Sequence, residues 1–355
     1  REGATCGREL KGLIFHDDAH YNVDQAMTME GPPANNAYVA YFDVLGFTSR
    51  FLSGDLRNRY EKLVAAIDER GDKDVTYFLF SDSIVVISRV FAKVRETARS
   101  IYTWGILNDF WLRGGIAHGG LTPLDFSSFV SGNRVILPFL GEGYLKAYKL
   151  ESTLNISGIA LDGIFFEPGK ECAALKRRVD FVEYEEYLPK RGYEDTKLLL
   201  LPEEGSLRQI VDTMYFEEML KSHINDIDKY INTFIFFIET LLRTADHPTV
   251  GKFLDNLLKQ LELHGSHVLI PSKVIIIFVA VIEGLIRRFR SGTFDDIPGN
   301  PRERLEIYVG NILGTLKTQG YLPTFVAYVL EYDKARHTTV YKDINRLRAD
   351  WTDFH

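Results

Sequence analysis

Cysteine is nearly absent: the chain has only Cys6 and Cys172. Two thiols cannot build a disulfide framework. They fit a reducing cytoplasm, where a buried free thiol is the usual fate. Long apolar runs are lacking too. The longest, VIIIFVAVI from Val274 to Ile282, stops at Glu283, far short of the roughly 20 residues a bilayer span needs, so a buried helix is expected there. Positive charge is not in excess: 42 Lys and Arg stand against 49 Asp and Glu, a net charge of -7. That balance disfavours a nonspecific binder of nucleic acid or of anionic membranes. The opening REGATCGRELKGL has no long apolar segment followed by small residues, so no secretory leader is expected in it. Neither an internal repeat nor a low-complexity tract occurs. His20, His223, His247, His264 and His267 show no spacing of the H-E-x-x-H kind, and zinc is not expected.

What is present is ordinary globular material: 45% apolar and 26% charged residues over 355 positions, enough for one large domain or two. Residues 1–36, closed by Gly31-Pro32-Pro33, are expected to form a loosely packed arm. From there the pattern is α/β. AYVAYFDV predicts a strand. GDLRNRYEKLVAAIDERG places Leu56, Tyr60, Leu63, Val64 and Ile67 at helical spacing, with Gly71 as a stop. VTYFLFSDSIVVIS predicts two strands bent at Ser81-Asp82-Ser83. A helix over about Val94–Trp111, a glycine-bounded strand RGGIAHGG, a short helix GEGYLKAYKLES and a strand ISGIALDGIFF follow. This is the βαββαβ order of a ferredoxin-like unit, expected over residues 37–203. Beyond the charged EYEEYLPKRGYEDTK and LLLLPEEGS the pattern becomes helical, giving a C-terminal region over 204–355. The expected fold class is α+β.

Two aspartates carry the chemical signal. Asp43 ends the first strand and Asp82 sits at the hairpin tip, neighbouring positions in a ferredoxin-like sheet. Paired carboxylates repel unless a proton or a cation lies between them. Mg²⁺ or Mn²⁺ suits such a site, since both prefer carboxylate oxygen and share it with substrate phosphates. Two ions can clamp the attacking and leaving oxygens of a phosphoryl displacement. Gly46, Phe47 and Thr48 open the next helical stretch, so their backbone N–H groups form a candidate phosphate cradle. Arg113, at the start of RGGIAHG, is placed to fork onto phosphate. His118 in IAHGG has no Ser or Cys motif beside it and is read as a strand-packing residue.

Four motifs, in order over about residues 37–165, resemble class III nucleotide cyclases. YFDVLGFT is similar to F-x-D-[IV]-x-G-F-T, and FLFSDSIVV to K-T-I-G-D-[AS]-x, with Ser81 for the glycine. LRGGIAHGG is similar to L-R-x-G-I-x-x-G, and GEGYLKAYKLES to G-x-x-V-N-x-A-x-R-L-E-S. The resemblance implies cyclisation of a nucleoside triphosphate with loss of pyrophosphate. It assigns both metal ions to Asp43 and Asp82, one further ligand to the Val44 carbonyl, and the departing phosphates to Arg113. No GGDEF-type loop is present.

The departures from the family pattern bear on the substrate. Phe78 stands where purine cyclases place a base-reading lysine, and Pro138 where they place a polar base reader. An aromatic residue shrinks the pocket and favours a one-ring base. The family's Asn and Arg on the last helix fall at Leu145 and Lys149, so Lys149 keeps a charge but loses the bidentate fork; Lys146 and Arg134 are alternative donors. Tyr41–Phe47 and Gly141–Glu151 are most similar to the Pycsar uridylate and cytidylate cyclases of bacterial antiphage defence. That likeness implies UTP (or CTP) as substrate, cyclic UMP as messenger and a cytoplasmic homodimer with active sites between subunits. The alternatives are cyclic CMP, a purine cyclase with an unusual pocket, and a cyclase fold that binds without catalysis.

Overall fold

The computed structural model describes residues 35–47, 56–69, 72–80, 82–123, 139–163, 181–186, 188–190, 192, 197–203, 205–213, 227–243, 246–264, 269–290 and 300–347. Cys6, Cys172, Thr48, Ser81, Arg134, Pro138 and nearly all of the expected N-terminal arm lie outside these residues.

The chain is α+β, with a mixed sheet and a larger share of helix. Its elements run β1 (Asn35–Val44), α1 (Leu56–Glu69), β2 (Thr76–Phe80), β3 (Ser83–Ser88), α2 (Phe91–Leu107), β4 (Leu112–Pro123), β5 (Phe139–Leu140), α3 (Glu142–Thr153), β6 (Gly158–Leu161), β7 (Phe181–Tyr184) and β8 (Lys197–Leu200). Helices follow: α4 (Ser206–Thr213), α5 (Ile227–Arg243), α6 (His247–His264), α7 (Leu269–Arg290), α8 (Pro301–Thr318), α9 (Leu322–Arg336) and α10 (Val340–Leu347). The sheet order is β2-β3-β1-β4-β6-β8-β7, with β5 paired to β4. Pairing is antiparallel from β2 to β4, parallel between β4 and β6, and antiparallel again through β8 and β7.

β1 is central, which explains its unbroken apolar run. Alternate residues face opposite sides of a strand. Ala40, Phe42 and Val44 pack into the large core with Leu63 and Ile67 of α1 and Val94 and Ala98 of α2. Ala37, Val39 and Tyr41 face the other side, in a smaller cluster with Val85, Ala117 and Ala147 of α3. The large cluster continues through Leu199, Phe234 and Phe278 to Ile344, so one buried core joins the sheet to the helices. Val274–Ile282 lies in α7, where all but Ile276 of its residues are buried. A helix apolar on all sides belongs in a core. Among the described residues no helix is long and apolar enough to cross a membrane.

Three local departures from the expected elements have clear causes. The helix expected to reach Trp111 ends at Leu107. There Asp109 takes φ 59, held by Trp111 Nε1 at 2.8 Å and Arg59 Nη1 at 2.5 Å. The stretch expected to be a charged connector contains β7 and β8, which extend the sheet. The glycines of RGGIAHGG lie inside β4 rather than at its ends. A Cβ on Gly115 would stand 2.4 Å from the Ala147 carbonyl oxygen, and one on Gly119 2.6 Å from the Gly143 nitrogen. The glycines are what let α3 lie directly on β4.

Gly115→Ala is therefore expected to destabilise the fold by about 1–3 kcal/mol. Gly314→Ala, at an exposed position inside α8 with open space around its Cβ, is expected to gain about 0.5–1 kcal/mol. Chemical denaturation of both variants measures the contrast; equal effects contradict the close α3–β4 contact.

Candidate functional site

The face of the sheet under α3 holds a row of side chains set by strand register. Phe80 pairs with Ser83, Ser83 with Asp43, and Asp43 with Arg113. One step along, about 7 Å away on the same face, Phe78 pairs with Val85, Val85 with Tyr41, and Tyr41 with Gly115. Asp82 lies in the turn between β2 and β3, and its carbonyl accepts the Val44 N–H at 2.9 Å, which locks the hairpin tip against the end of β1. The backbone then turns through Gly46 at φ 73, a left-handed conformation that glycine adopts without cost.

Arg113 organises the charges. Its Nη2 donates to Asp43 Oδ2 at 3.3 Å and its Nη1 to the Leu154 carbonyl at 3.2 Å, while Nε forms an ion pair with Glu151 in the last turn of α3. Burial pushes the Asp43 carboxyl up to about 6, with Glu151 and Asp82 adding repulsion and Arg113 opposing it. Glu151 is also raised, first by burial, against the pull of Arg113. Tyr41 is raised by burial, and its hydroxyl shares a 2.7 Å hydrogen bond with Ser83. The rings of Tyr144 and Tyr148 stand edge-on to Tyr41 at 5.8 and 5.3 Å.

Asp43, Asp82, Arg113 and Phe78 thus share one end of one sheet face. Val44 and Gly46 adjoin them, and Phe47 packs edge-on against Tyr60 with ring centroids 6.3 Å apart. Lys149 is exposed on α3, beside Tyr148, and among the described residues it makes no ion pair with Asp43 or Asp82. Lys146 pairs with Glu142 at 2.7 Å. His118 packs its ring on Tyr38 at 4.6 Å, as a strand-packing residue would.

Glu151 is the functional candidate that sequence reasoning left out, although it closes the helix motif. Its spacing from Gly143 and Ala147 puts all three on the sheet-facing side of α3, where all are buried. A buried acid at such a position signals a cationic partner. Lys190 adds a further cation, its ammonium on the Ser152 carbonyl at 2.6 Å and its pKa lowered by burial and by Arg113.

The donor set suits a hard divalent cation. Asp43 and Asp82 offer carboxylate oxygen, and Asp43 is raised first by burial and then by Glu151, a setting in which a cation would favour its ionised form. Among the described residues no three His, Cys, Asp or Glu side chains are grouped to hold a metal. A divalent ion held by the two aspartates and the Val44 carbonyl would need substrate oxygens and water to complete its shell.

No protein-family model matches the chain, and no curated protein is detectably similar to it.

The charge pattern makes a signed prediction. A carboxyl raised from 3.8 to about 6 holds its proton longer in the folded state than in the unfolded one. Stability contributed by Asp43 is therefore present below about pH 4 and is lost as pH rises through 6. With divalent cations chelated, Asp43→Asn is expected to gain on wild type over that window, by roughly 3 kcal/mol at pH 7. Urea unfolding of both proteins at pH 4, 5, 6 and 7 checks it; a pH-independent difference contradicts it.

Proposed function

We propose that the chain is a pyrimidine nucleotide cyclase, converting UTP to 3′,5′-cyclic UMP and pyrophosphate on a class III cyclase domain of ferredoxin-like type. The observation that carries this is that the end of β1 lies against the β2–β3 turn, Asp43 opposite Ser83 and the Val44 N–H on the Asp82 carbonyl, with Arg113 paired to Asp43 in register. The antiparallel order β2-β3-β1-β4 supports it, being the arrangement that a βαββαβ unit adopts.

In the reaction, the substrate's 3′-oxygen forms a bond to the α-phosphorus, the bond to pyrophosphate breaks, and the 3′-hydroxyl proton leaves. Mg²⁺ or Mn²⁺ held by Asp43, Asp82 and the Val44 carbonyl would supply positive charge at the oxygens concerned. Arg113 binds the departing phosphates. Its contact to Asp43 is the longest of its three, so Nη2 is the donor that exchanges a carboxylate for phosphate oxygen. Glu151 keeps Nε and fixes the plane of the fork. Gly46 and Phe47, just after the end of β1, are the backbone positions that the sequence pattern assigns to the phosphates. Phe78 and the Tyr41–Tyr144 pair form an aromatic wall suited to stacking one ring. Lys149 is exposed on α3, next in sequence to Tyr148, whose ring stands against Tyr41. It would serve a second subunit's site in a homodimer, the arrangement that the Pycsar resemblance implies. Cyclic UMP as an antiphage messenger rests on that resemblance alone.

Asp43→Ala and Asp82→Ala are each expected to lower cyclic product formation by roughly 100-fold or more while the far-UV spectrum is kept. Near-wild-type turnover in either variant contradicts the two-metal assignment. Phe78→Lys is expected to weaken the preference for a pyrimidine triphosphate, measured as a ratio of kcat/KM values; an unchanged ratio removes Phe78 from the base pocket.

A further inference from the structure

The helical region reaches the guanidinium of Arg113 through one buried amide. Asn232 on α5 is fully buried, and every polar atom of its side chain is used. Oδ1 accepts the Leu188 N–H at 2.8 Å, and Nδ2 donates to the Asn155 carbonyl at 2.7 Å and to the Leu188 carbonyl at 2.9 Å. Asn155 reaches the same Leu188 carbonyl with its own Nδ2 at 2.7 Å, and its backbone N–H donates to Glu186 at 2.8 Å. The neighbouring Thr233 Oγ1 accepts the Ser157 N–H at 2.9 Å. Ser157 Oγ in turn donates to the carbonyl of Leu112, the residue before Arg113. Helix α5 therefore grips residues 155–157, the exit of α3, at two consecutive side chains.

That exit is where Arg113 is held. Of the three groups on its guanidinium, Glu151 belongs to the last turn of α3 and the Leu154 carbonyl follows it directly; only Asp43 lies elsewhere. We propose that Asn232 is a positioning residue for Arg113, fixing the end of α3 so that the guanidinium is presented to phosphate in one orientation. This presupposes that Arg113 holds phosphate. A fully satisfied buried amide holds its partners to one geometry, and loss of one member leaves the others without a partner. The link gives the helical region a direct mechanical path to the site: a shift of α5 moves the groups that orient Arg113.

The test is a double-mutant cycle read by calorimetric binding of inorganic pyrophosphate with Mg²⁺ to the full chain. Arg113→Gln is expected to weaken pyrophosphate at least tenfold. Asn232→Ser is expected to weaken it several-fold in the wild-type background and by less than twofold in the Arg113→Gln background. Thr240→Val removes a hydrogen bond internal to α5, from Thr240 Oγ1 to the Phe236 carbonyl; it is expected to lower Tm without changing pyrophosphate binding. Asn155→Ala, which loses only the side-chain bond to Leu188, is expected to repeat the background dependence and serves if Asn232→Ser does not fold. Equal weakening in both backgrounds, or none in the presence of an intact Arg113 effect, overturns the positioning role alone. An Arg113→Gln protein that binds pyrophosphate as wild type does overturns the phosphate role of Arg113, and the positioning role with it.

Discussion

Arg113 is a single positive charge set among Asp43, Glu151 and the Leu154 carbonyl. The two carboxylates come from different elements, β1 and α3, and both are pushed toward the protonated form by burial. Without the guanidinium they would lose their paired counter-charge, leaving only the more distant Lys190 and Lys229 ammonium groups to act on them. Removing one partner from such a group typically costs more than the group contributes, because the remaining charge stays buried. Arg113 therefore determines how α3 lies on β1 and β4. The glycines at 115, 119 and 143 make that approach possible by bringing backbone close to backbone.

A division of labour between the two faces of the sheet follows. One face is committed to the large core, where Phe42 and Ile84 meet α1, α2 and, through the same cluster, the helical region. Among the described residues α3 packs on the other face, which carries the charged and aromatic residues Asp43, Arg113, Tyr41 and Phe78. The helical region, through Asn232 and Thr233, holds the chain that leaves α3.

Much of this was legible in the sequence, for physical reasons. β1 announced itself as a continuous apolar run because both of its faces are buried, and Asp43 stood out by ending that run. The hairpin was readable because β2 and β3 flank a short polar bend. The all-apolar Val274–Ile282 segment could only be core. What escaped reading depends on partners distant in the chain. Glu151 looked like the polar end of a helix until β4 brought Arg113 beneath it. Gly115 and Gly119 read as strand boundaries, whereas their cause is the helix above them. β7 and β8 are four residues each, too short for period-two alternation to rise above a charged context.

If the paired aspartates and Arg113 cyclise a pyrimidine nucleotide, as proposed, the purified chain incubated separately with ATP, GTP, CTP and UTP, each with Mn²⁺, yields cyclic UMP from UTP together with pyrophosphate, identified by mass. A cyclic purine product removes Phe78 from substrate choice, and no cyclic product from any of the four rules out the cyclase reaction.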